Sequence, residues 1–150
     1  MTEFPSDEWV RAGGDIDRVS VTLRVSSDDL DPEFVSRLLG VTPTFVARKG
    51  ERRASGDRTA VQPTGVWSLS LPDSAEWELA DAIGELLARL PGPGTVWDSL
   101  ADRYALDLFC GAFLHSWNRG FSLPPELLRA LGERHLEFGV DIYCDRESDV

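Results

Sequence analysis

Residues 19–40 read VSVTLRVSSDDLDPEFVSRLLG, and the change of rhythm inside them decides the fold class. Val19, Val21, Leu23 and Val25 alternate with Ser20, Thr22 and Arg24, the period of a strand with one buried face. Ser26-Ser27-Asp28-Asp29 stops that strand. A helix follows, and its start is well specified. Asp31 suits the N-cap, Pro32 the first helical position, and Leu30 and Val35 the two sites of a hydrophobic staple. Phe34, Val35, Leu38 and Leu39 form the apolar stripe, and Gly40 supplies a left-handed stop.

Working outward, the same two rhythms recur. Pro43 to Lys49 reads as a strand at a sheet edge, because of its leading proline. The run KGERRASGDR reads as a loop. Val66 to Leu71 alternates again, with Trp67 in the core phase. From Ala75 to Leu90 the period becomes 3.6, with Leu79, Ile83, Leu86, Leu87 and Leu90 on one face and Trp77 as a cover on that helix. Pro91-Gly92-Pro93-Gly94 ends it. Thr95 is placed to cap a shorter helix through Trp97, Leu100 and Tyr104. Two further strands run over 106–115 and 136–145. Between them Ser122 and Pro124 open a helix carrying Leu127, Leu128 and Leu131.

This order predicts an α+β domain: a ferredoxin-like split βαβ sheet with an added C-terminal helix-strand unit and its helices on one face. Residues 1–18 are expected to be a flexible arm with Trp9 as its anchor. Residues 19–146 form the single domain, and 147–150 a tail. The face away from the helices is then open, covered by a partner, or partly covered by the arm.

Composition narrows the function. The 150 residues are 42% hydrophobic and 27% charged, with a net charge of −11. Folding a chain of this size hides about 68% of its unfolded surface, so no staples are needed. Two cysteines point to a reducing, cytoplasmic setting. The opening MTEFPSDEWV lacks signal-peptide character, and no apolar run approaches the roughly 20 residues of a membrane span. The acidic balance opposes nucleic-acid partners and anionic membrane surfaces, which require clustered Lys and Arg.

Leu38-Leu39-Gly40-Val41-Thr42-Pro43, Arg48-Lys49-Gly50, Gly65-Val66-Trp67-Ser68, Gly120-Phe121-Ser122-Leu123 and Asp141-Ile142-Tyr143 follow one another at spacings that resemble the bacterial family named domain of unknown function 4279. The resemblance spans roughly 19–144. It implies a single intracellular bacterial domain and carries no catalytic residues over.

Three candidate sites remain. Between Ala47 and Arg58, the cations Arg48, Lys49, Arg52, Arg53 and Arg58 face only Glu51 and Asp57, a net +3 that leaves −14 for the rest. Arginine forks near Gly50 and Gly56 could hold a phosphate or carboxylate, although neither a Walker spacing nor a helix start follows. A mobile loop paired with the acidic body is the simpler reading.

The second candidate is the outward phase of the two long strands. Phe109, Phe113 and Tyr143 sit there with Asp107, Glu137, Asp141 and His115, and Trp117 follows in the next loop. A polar-rimmed aromatic patch suits a protein interface, or the contact between two copies of this chain.

Catalysis is the third. Cys110 and Cys144 fall on the apolar phase as inert core thiols. His115 and His135 cannot build a three-histidine zinc site, and neither has an HExxH neighbour. An acid–base pair of Asp141 with His115 shares one face, but such groups near a sheet edge are commonly just solvated. No catalytic, metal or cofactor residues are assigned.

The expectation is a non-enzymatic protein-binding domain, in its most concrete form an immunity- or inhibitor-type protein that captures a basic partner through charge steering. The alternative is a small anionic-ligand domain or enzyme built on residues 48–58.

Overall fold

A computed structural model of the chain describes residues 16–72, 77–115 and 118–144. Within them run β1 (Arg18–Ser27), α1 (Pro32–Leu39), β2 (Phe45–Ala47), β3 (Arg52–Ser55), β4 (Arg58–Val61), β5 (Gly65–Ser70), α2 (Leu79–Ala88), α3 (Thr95–Arg103), β6 (Ala105–Leu114), α4 (Pro125–Glu133) and β7 (Glu137–Cys144). Five strands form one sheet in the order β2-β5-β1-β6-β7, while β3 and β4 make a separate two-stranded ribbon. β1 is antiparallel to β5 and β6, β2 is antiparallel to β5, and β7 is parallel to β6. The protein is an α+β domain on a mixed sheet. A parallel neighbour needs a crossover of a dozen residues or more, and the α4 segment between β6 and β7 supplies it.

The α1 signals act as the sequence predicts. Asp31 Oδ1 accepts from the backbone N–H groups of Glu33 and Phe34 at 3.2 and 3.3 Å. Leu30 and Val35 are both buried, as a staple requires. Gly40 stands at φ +69° and donates to the Ser36 carbonyl.

One apolar core lies between the sheet and the helices. Val21, Leu23, Val25, Leu108 and Cys110 enter it from the strands, and Val35, Ile83, Leu86, Trp97, Leu100 and Leu131 from the four helices. Trp67 and Trp97 are fully buried, and each satisfies its indole N–H. Trp67 donates to Ser36 Oγ and Trp97 to the Pro91 carbonyl, both at 3.0 Å.

Several expectations need correction. The run 49–58 is not all loop: β3 and β4, over Arg52–Ser55 and Arg58–Val61, pair as a hairpin with Ser55 opposite Arg58. Alternation could not reveal it, since every residue of both strands is exposed and neither face is apolar. The readable signal was Gly56-Asp57, where Gly56 takes φ +62° at the first loop position, as a type II′ turn requires. Thr95 does not cap α3; Gly94 holds the N-cap at φ +146°, a glycine conformation, and Thr95 is the first helical residue. Trp77 precedes α2 rather than lying within it, and is 38% exposed. The expected helix start at Ala75 lies outside the described residues, as do Trp9 and Trp117. Cys144 shares the helix-side phase with Phe138 and Val140 but is exposed, because β7 is the sheet's edge and its C-terminal end runs past the helical layer. Ile16 is buried and Asp17 accepts from the His115 backbone N–H at 2.7 Å. Residues 16–18, assigned to the arm by sequence, therefore pack on the domain.

Candidate functional site

Directly paired strand residues point to the same side of a sheet, so register gives the composition of the face away from the helices. Across β1, β6 and β7 the rows are Arg24–Asp107–Glu137, Thr22–Phe109–Gly139, Ser20–Gly111–Asp141 and Arg18–Phe113–Tyr143. The sequence-predicted aromatics and carboxylates are thus brought together. Leu108 on the opposite side is fully buried, whereas Tyr143 is 49% exposed.

The rings are not bare. The Arg18 guanidinium lies 4.0 Å over the Phe113 centroid. Phe113 in turn stacks on Tyr143 at 4.9 Å and 13°. Arg24 covers Phe109 at 4.3 Å while gripping Asp107 with two donors, Nε at 3.0 Å from Oδ1 and Nη2 on Oδ2. The hydrogen bond to Asp107 raises the Arg24 pKa above the usual arginine value despite partial burial, and Asp141 and Glu137 add to the effect. Each ring–cation contact contributes about 0.5–1 kcal/mol at exposed sites and about 2 when desolvated. The face is a ladder of alternating cation, ring and carboxylate. It ends in exposed Asp141 and Tyr143, whose hydroxyl donates to Asp141 Oδ2 at 3.3 Å.

Two clefts border this face, the first wrapping the end of the sheet. One of about 370 Å³ is lined by Asp17, Arg18, Phe113, His115, Tyr143 and Cys144. The other, about 330 Å³, lies among Arg24, Ser26, Thr64, Asp107 and Glu137. Asp141 and His115 do not form an acid–base pair. Asp141 is opposite Gly111 and His115 follows Leu114, which separates them by about 13 Å along the strands. Burial pushes the Cys110 thiol up to about 12, so it is neutral and inert. Among the described residues no group of three His, Cys, Asp or Glu could hold a metal ion.

The basic group is not gathered into one cradle. Lys49 Nζ binds Asp28 at 2.9 Å, and that contact, with Thr64, holds the Asp28 carboxyl below its usual range. Arg53 lies 4.6 Å over the Phe45 ring and donates to Gln62 Oε1 at 2.7 Å. Arg58 shares the Arg53 side of the hairpin, since Arg53 is opposite Ala60 and Ser55 opposite Arg58; Arg52 points to the other side. Arg48, Arg52 and Arg58 are exposed. Arg53 and Phe45 instead anchor the hairpin beside the sheet face. Sequence reasoning missed Arg18 and Arg24, although both lie on the outward phase of the first strand.

These features define a small α+β domain with an aromatic and charged sheet face that no helix or strand among the described residues covers. The chain belongs to the family described as Domain of unknown function (DUF4279), whose profile matches residues 17–145. No curated protein and no solved structure matches it significantly. No helix among the described residues is long and apolar enough to cross a membrane.

Proposed function

We propose that this chain is a non-enzymatic protein-binding domain that captures a basic partner on the β6–β7 side of its sheet, in the manner of an immunity or inhibitor protein. The carrying observation is the Arg18–Phe113–Tyr143 stack, with Asp141 beside it and Tyr143 half exposed at the sheet's edge. A pre-stacked ring loses little side-chain entropy on docking, and Tyr offers both an apolar face and a hydroxyl. Asp107, Glu137 and Asp141 outnumber Arg18 and Arg24 on these rows, and the net charge of −11 attracts a cationic partner from a distance. We read the antiparallel order β2-β5-β1-β6 as a ferredoxin-like unit, to which α4 and β7 add the edge that carries the patch. The anion-binding alternative draws less support, because Lys49 and Arg53 are already engaged within the protein.

The test places a photo-crosslinking side chain at position 143 and, as a control, at exposed position 128. The reading expects one protein recovered through position 143 alone. Its association with the purified domain should slow as salt rises, and Asp141→Lys should cut the on-rate about tenfold. Equal recovery from both positions, or an on-rate indifferent to salt, would overturn it. Recovery of a second copy of this chain would replace the basic partner with a homodimer.

A further inference from the structure

Arg24 shows how this sheet face holds a guanidinium. Asp107 and Phe109 stand two residues apart on β6 and therefore point to the same side of the sheet. Arg24, directly opposite Asp107 on β1, sets its guanidinium 4.3 Å over the Phe109 ring and bonds both oxygens of Asp107. One planar cation meets a ring with its face and a carboxylate with its edge, a combination that arginine can make and lysine cannot.

The same order recurs on the strand at the sheet's edge. Asp141-Ile142-Tyr143 on β7 repeats Asp107-Leu108-Phe109 on β6: a carboxylate, an apolar residue of the helix-side phase, then an aromatic ring. Register puts both pairs on the face away from the helices, with Asp141 opposite Gly111 and Tyr143 opposite Phe113. The Tyr143 hydroxyl donates to Asp141 Oδ2 at 3.3 Å, which holds ring and carboxylate together. Along the strand order β1-β6-β7 the stack runs Arg18, Phe113, Tyr143, so the outer face of Tyr143 ends it. Tyr143 and Asp141 are both exposed. Among the described residues no cation lies over the Tyr143 ring, and no ion pair engages Asp141.

We infer that Asp141 and Tyr143 form an arginine site, filled by an arginine of the basic partner. The guanidinium lies on the outer ring face and grips the carboxylate with its edge, as Arg24 does with Phe109 and Asp107. The site rests on the capture of a basic partner proposed for this face and narrows it, because charge steering alone would accept lysine equally. The lysine ammonium is a compact, strongly hydrated point charge, with neither a plane to stack nor a fork to grip.

NMR titration of the full chain with N-acetyl-arginine amide and N-acetyl-lysine amide tests it. The arginine probe should shift the signals of Asp141 and Tyr143 and bind there about threefold or more tightly than the lysine probe. Asp141→Asn and Tyr143→Leu, both at exposed positions, should remove that response and leave the rest of the spectrum in place. In Arg24→Ala the arginine probe should shift Asp107 and Phe109 as well, replacing the guanidinium that the variant lacks. Equal responses to the two amides would overturn the arginine site while leaving capture of a basic partner intact. A wild-type response spread evenly over exposed carboxylates, or no second site in Arg24→Ala, would overturn it too. Arginine amide held selectively at Tyr143, with no protein recovered through position 143, would keep the site and discard the captured partner.

Discussion

Gly111 sits in β6 where the sheet face is most tightly packed, and replacing it with alanine gives a calculable cost. The added Cβ would lie 2.5 Å from Ser20 Oγ and 3.2 Å from Phe113 Cε2. Ser20 Oγ accepts from the Gly111 backbone N–H at 3.1 Å, so rotating the serine away breaks that bond, at about 1 kcal/mol. The Phe113 ring is held between Arg18 and Tyr143, and displacing it adds an overpacking cost of about 1–3 kcal/mol. Alanine regains about 0.5–1 kcal/mol over glycine in a strand. The net expectation is a loss of about 2 kcal/mol, or about 4–8 °C in melting temperature for a chain of this length. Urea denaturation of the wild type, Gly111→Ala, Ser20→Ala and the double variant measures it. Removing the Ser20 hydroxyl first should make Gly111→Ala cheaper by about 1 kcal/mol, a coupling that double-mutant cycles resolve. A Gly111→Ala cost under about 0.5 kcal/mol, or strict additivity, would refute the packing argument.

Gly65→Ala should cost more, above about 3 kcal/mol in the same assay, because its Cβ would strike the Ser27 carbonyl at 2.6 Å and Leu30 Cβ at 2.8 Å, and neither can swing aside. A thiol reagent should label Cys144 in the native protein and reach Cys110 only on unfolding, given their exposure; two rapidly reacting thiols would contradict the core assignment. The Cys110 pKa is raised on folding from 9.0 to about 12, so its contribution to stability is intact below pH 9 and declines as pH rises through that window. The slope is about 1.4 kcal/mol per pH unit, visible as the difference between wild type and Cys110→Ala in alkaline denaturation. His135 stands at φ +58° with Nε2 2.7 Å from Asp98 Oδ1. His135→Val should therefore cost about 2 kcal/mol, whereas His135→Asn, which tolerates that backbone, should cost under about 1; equal losses would show that the backbone conformation is not the constraint.

The alternation of Val19 to Val25, the Asp31-Pro32 start, the Gly40 stop and the buried phase of Leu106, Leu108 and Cys110 were all legible in the sequence. Each depends on neighbours within a turn of helix or a few residues of strand. The face holding Phe109, Phe113 and Tyr143 was legible for the same reason, since period two fixes sides without fixing partners. The hairpin over Arg52 to Val61 was not, because strands exposed on both faces leave no hydropathy pattern. Only the tertiary structure decided register. It put Arg18 over Phe113 and Arg24 on Asp107, bracing the rings with cations, and it set Asp141 far from His115. It left Cys144 exposed at an edge despite its apolar phase, and it buried Arg134 between two helices. Those outcomes depend on which strands become neighbours and how far the helical layer reaches, and no short-range rhythm in the chain encodes either.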